Sequence, residues 1–126
     1  MKVGVLHDPG FWTALEKLMK QDVPMKLGLS LARFSDNLKK EAERSDKLRQ
    51  DTLMKFAVLN DEGKPSTDDK GMIRFKSQEE AIKCIELLNS LFEVDLEIEV
   101  PKISEEVSDK LVLSATDAGK LSFLFE

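Results

Sequence analysis

The chain has 126 residues, a mass of 14.2 kDa and a formal charge of −5, from 24 acidic and 19 basic side chains. That length suits one small domain, and with 41% hydrophobic and 34% charged residues its core is thin and part of the chain projects from it. One Cys and one His exclude a disulfide framework, a multi-Cys zinc site and most His-built triads.

No apolar run reaches the roughly 20 residues of a membrane span, and no charged-then-apolar leader is present, so a chain that is neither membrane-bound nor secreted is expected. Full disorder is excluded because apolar residues recur in periodic blocks. No internal repeat is evident.

Residues 1–24 form the first segment. Val3 and Val5 alternate and predict a short strand or extended arm over 1–6. Asp8-Pro9-Gly10 is turn punctuation. Phe11, Leu15 and Leu18 then predict a short amphipathic helix over 11–20, which Val23-Pro24 ends.

Residues 25–58 predict one long charged helix. Leu27, Leu31, Phe34 and Leu38 mark its buried face. Beyond Leu38 only Ala42 and Leu48 are apolar up to residue 52, while Lys, Glu, Arg and Gln keep helix propensity high. A helix that is polar nearly all round bridges solvent or meets a partner.

Residues 72–100 are expected to form a strand–helix–strand core. Residues 56–59 read as the helix end or a short strand; as a strand they form a hairpin with 72–75, joined by a polar loop over 60–71. Ser77 and Glu80 give a capping box that opens a helix over 77–92. Ala81, Ile85, Leu88 and Phe92 are its stripe, widened by Ile82, Cys84 and Leu91. Val94, Leu96, Ile98 and Val100 alternate with Asp95, Glu97 and Glu99, which predicts a half-buried strand stopped by Pro101. Residues 101–126 add a helical turn within 102–110 and a short terminal helix from Ser114. The expected fold is α+β: two main helices packed on a small, mainly antiparallel sheet, with short N- and C-terminal helices.

Chemistry-bearing residues are few. His7-Asp8 is a neighbouring histidine–carboxylate pair, but it sits in a turn without a pocket. Cys84 lies on an apolar helix face and reads as buried and structural. The row Asp95, Glu97, Glu99 could hold a hard cation or mimic phosphate spacing, but it is also the ordinary solvent face of a strand. The loop over 60–69 lacks the residue order of a calcium loop. No catalytic residue, metal site or cofactor is expected.

The strongest signal is charge segregation. Arg33 to Lys55 holds seven basic and five acidic residues, a net of +2; Phe92 to Asp109 holds seven acidic residues and one lysine, a net of −6. Candidate interaction residues are Arg33, Lys40, Arg44, Lys47 and Arg49 on one side and Asp95, Glu97 and Glu99 on the other. Solvation or complementarity within the molecule would also account for both rows. Nucleic acid is disfavoured, because acids interleave the basic residues and no aromatic stacks among them. No small-molecule substrate is evident. A protein partner or self-association is expected.

The order of short phrases adds a resemblance. Lys55-Phe56-Ala57-Val58 follows the charged helix. Asn60-Asp61-Glu62-Gly63-Lys64-Pro65, Arg74-Phe75, Glu86-Leu87-Leu88-Asn89-Ser90, the 94–103 run VDLEIEVPKI and the 113–124 run LSATDAGKLSFL come after it. Over about residues 25–126 this layout resembles families of small proteins from tailed phages and prophages that have no defined function. The resemblance implies a non-enzymatic phage protein made in a bacterial cytoplasm. It would be a virion assembly, structural or accessory component, or else an inhibitor of a host defence or enzyme with an acidic decoy surface. It implies no functional residues.

Overall fold

Helix α1 (Pro9–Met19) starts at the expected punctuation. The Asp8 carboxylate accepts from the Gly10 N–H at 2.9 Å, and Pro9 at the first position forfeits no helical hydrogen bond. Helix α2 (Met25–Phe56) follows; at 1.5 Å per residue it is about 48 Å long. Helix α3 (Gln78–Phe92) is capped by Ser77, whose Oγ accepts from the Glu80 N–H. Serine also caps the short α4 (Glu105–Ser108) and α5 (Ala115–Lys120). The computed structural model describes all of residues 1–126.

The core lies at one end of the molecule. Phe11, Ala14, Leu15 and Leu18 of α1 meet Leu31, Phe34 and Leu38 of α2, and Ile103, Leu121 and Leu124 close over them. Spacings of three and four residues put each helix's apolar side chains on one face, as the sequence predicts. Two ion pairs clip α5 onto the first helix and its cap: Lys17–Asp117 at 3.0 Å and Lys120–Asp8 at 2.6 Å. These lysines hold the Asp8 and Asp117 carboxyls below the usual carboxylate range, chiefly by hydrogen bonding.

The far half of α2 leaves this base and forms an arm with α3. The chain turns back after Phe56, and the Lys76 N–H donates to the Phe56 carbonyl. Helix α3 therefore runs antiparallel to α2 and ends beside Ser45 and His7. Its covered face is Ala81, Cys84, Leu88, Leu91 and Phe92, with Cys84 fully buried. Burial pushes the Cys84 thiol pKa up.

The predicted sheet is absent, so the α+β expectation is corrected to an all-helical fold of five α-helices. The expected N-terminal strand is a 3-10 turn over Val3–His7. The segment 94–100 has one bridge, Lys2 with Asp95. Its in-and-out alternation is real: Leu96, Ile98 and Val100 are half-buried on the core, and Asp95, Glu97 and Glu99 are exposed. Val94, expected on the core side, is 52% exposed. Alternation records which face is wet, whereas a sheet also needs a neighbouring backbone about 4.8 Å away. Beyond Leu96 this segment has none.

The expected pairing of 56–59 with 72–75 is reduced to single bridges for a different reason. Three extended pieces converge: Ala57 bridges Phe75, Leu59 bridges Pro65, and Thr67 bridges Ile73. The Val58 N–H donates to the Arg74 carbonyl, Arg74 to Ser66, and Ser66 back to Val58. Each piece pairs with both others in a triangle, so no pair can extend into a ladder.

The loop also contains a repeat that the sequence reading missed. Asn60 Oδ1 accepts from the N–H groups of Glu62 and Lys64, and Asp68 Oδ1 from those of Lys70 and Met72. Gly63 and Gly71 close the two turns with φ of 75° and 78°, a region that glycine enters without strain.

Candidate interaction surface

Helix α2 positions the basic candidates. At 100° per residue, steps of seven, four and three put Arg33, Lys40, Arg44 and Lys47 on one stripe, and all four are exposed. Arg49 lies off that stripe. It is half-buried, with Nε and Nη2 on Asp46 Oδ1 at 3.2 and 2.9 Å. Arg44 is paired with Glu41 at 2.7 Å. Arg33, Lys40 and Lys47 enter no ion pair.

The acidic candidates run back beside this helix. Arg33 and Glu99 line a groove of about 200 Å³ with Ser30, Phe34, Asn37 and Pro101. Arg44, Asp95 and Glu97 line a second groove of about 470 Å³, with Glu41, Ser45 and an apolar lining of Val3, Leu48, Leu91, Val94 and Leu96. The segment from 95 to 101 thus passes α2 in the opposite direction. The two charged surfaces that the sequence shows as separate are the walls of one furrow. Lys40, Lys47 and Arg49 line neither groove.

Charge across the furrow is only loosely matched. No ion pair within 4.0 Å involves Asp95, Glu97 or Glu99. Exposed charges at longer range attract by less than about 1 kcal/mol in water and are screened by salt. At the rim, Lys2 pairs with Glu93 at 2.5 Å, and this partner's hydrogen bond and charge raise the Lys2 pKa, with a smaller push from Asp95.

Several residues at the furrow escaped the sequence reading. In the sequence Leu48 is only a lone apolar residue in a charged run, Leu91 belongs to the helix stripe and Val94 to the core side of the alternating run. Ser45 gave no signal. Its Oγ lies 2.5 Å from His7 Nε2, and the His7 ring packs on Phe92 at a centroid distance of 4.8 Å.

A serine beside a histidine is the beginning of a nucleophile–base arrangement. Here Asp8, the carboxylate next to His7 in sequence, turns instead to Lys120 and the Gly10 N–H. Ser45 lies inside α2, where the surrounding backbone N–H groups are already used by the helix. The pair acts as a strut that ties the 3-10 turn to both long helices.

No group of three or more His, Cys, Asp or Glu side chains is arranged to hold a metal ion. No helix is long and apolar enough to cross a membrane. No family model, curated protein or solved structure matches this chain.

Proposed function

We propose that this is a non-enzymatic protein that works by protein–protein contact through its arm. The carrying observation is the apolar surface left on that arm. Leu48, Met54, Leu59, Met72, Ile82, Ile85, Leu87 and Val94 are all exposed large hydrophobics. Covering each half-exposed side chain would contribute on the order of 1 kcal/mol. A partner that covers several gains a few kcal/mol towards the cost of association. The phage resemblance suggests the setting, a virion assembly, structural or accessory role.

The test is affinity capture with the wild-type chain and an Ile82→Lys/Ile85→Lys variant. Both side chains are about half exposed, so the variant is expected to fold. A partner held by the wild type and lost by the variant supports the reading. Equal capture by both would remove the arm from it.

One observation favours a second reading, an inhibitor with an acidic decoy surface: Asp95, Glu97 and Glu99 are exposed on one extended segment outside every ion pair. Charge reversal at these three positions should abolish a decoy and leave arm-mediated capture intact.

A further inference from the structure

The segment 94–100 is a strand without a sheet. Its backbone makes two hydrogen bonds to the N-terminal residues: the Val3 N–H donates to the Val94 carbonyl at 2.9 Å, and the Leu96 N–H donates to the Met1 carbonyl at 2.8 Å. Successive residues of an extended chain direct their N–H and C=O groups to opposite edges. Residues 94 and 96 therefore serve the edge next to Met1–Val3. Asp95, Glu97 and Glu99 serve the other edge, and there no N–H or carbonyl of theirs meets a protein partner. An open row of this kind is a template for strand addition.

We propose that this free edge receives an extended segment of another protein as an added strand, with lysine or arginine at alternate positions facing Asp95, Glu97 and Glu99. The inference rests on the protein-contact reading and adds to it a second contact, separate from the apolar surface of the arm. Charge decides the occupant. On the solvent face the three carboxylates have no ion-pair partner, and opposite charges across a strand pair are favourable.

The same rule excludes a second copy. Antiparallel self-pairing centred on Glu97 would set Glu97 against Glu97 and Asp95 against Glu99, like charges directly opposite. The partner's other face would be apolar and would extend the half-buried row of Leu96, Ile98 and Val100.

The experiment uses the full chain and a short synthetic peptide that alternates lysine with valine. Controls are a scrambled peptide of equal composition and a version N-methylated at alternate amides. In the free chain the amides of Asp95, Glu97 and Glu99 should exchange without protection. With the alternating peptide they should slow by at least about ten-fold, as closure by a partner requires. The N-methylated peptide should bind at least about ten-fold more weakly, having lost its ladder donors.

Glu97→Pro removes an N–H that has no partner in the free chain, and it should weaken the peptide similarly with unchanged helical circular dichroism. If that variant misfolds, the N-methylated peptide still decides. Absence of binding overturns the proposal. So does equal binding of the scrambled peptide with no amide slowed, and so does a doubled mass without peptide. None of these outcomes touches the wider protein-contact reading, which the Ile82→Lys/Ile85→Lys capture tests separately.

Discussion

The base and the arm are made from the same long helix but are finished to different degrees. At the base, α2 contributes Leu31, Phe34 and Leu38 to a core closed by α1 and the C-terminal residues. In the arm, residues 39–93 bury only Leu53, Ala57 and Cys84 among their hydrophobics. Seven large apolar side chains of that stretch remain exposed. One helix on another can cover only one stripe, and the apolar stripe of α3 is wider than α2 covers. The base is therefore a finished fold, and the arm has surface to offer a partner.

The largest way to break this contrast is Phe34→Ala. Phe34 is 2% exposed at the centre of the base, so the change should cost about 3–5 kcal/mol. Urea unfolding should show the whole molecule destabilised. By contrast, Ile85→Ala should change stability by no more than about 0.5 kcal/mol in the same assay.

Next come the arm's turns. Gly63→Ala and Gly71→Ala each place a side chain at positive φ, a cost of about 1–2 kcal/mol. The loss should appear as faster local exchange in residues 57–76, with α1 unaffected.

Acid should act on the base in particular. Asp8 and Asp117 have lowered pKa values. The stability they contribute is complete above their ordinary value of 3.8 and is lost as pH falls through the lower folded values. An Asp8→Asn/Asp117→Asn variant should melt lower than wild type at pH 7. The gap should close as pH falls below 3.8 and on through the lowered folded values.

A small effect is likewise expected from Glu79→Ala, which removes an exposed 3.6 Å pair with Lys83. Such pairs contribute about 0–1 kcal/mol, so thermal melting should barely move.

The helices were legible because their signals are local. Ser77 and Ser114 announce helix starts through their own side chains, and the stripe from Leu31 to Leu38 announces a face. The sheet was misread because pairing is not local. The run from Val94 to Val100 specifies which side chains meet water, but not whether another backbone lies alongside. The triangle of Val58, Ser66 and Arg74 likewise depends on where two turns send the chain. For the candidate surface, the charged rows were legible as composition. Their meeting across a furrow was not, since that depends on the chain returning beside α2 after α3. Arg49 was chosen for its charge and proves to be held by Asp46.

Native-state amide exchange in a denaturant series tests the central contrast most directly. Amides of α1, such as Leu15 and Leu18, should open only with global unfolding. Amides of α3, such as Cys84 and Leu88, should open through a local process at least about 1 kcal/mol easier. Equal opening free energies in α1 and α3 would show that arm and base form one cooperative unit, and would contradict the account.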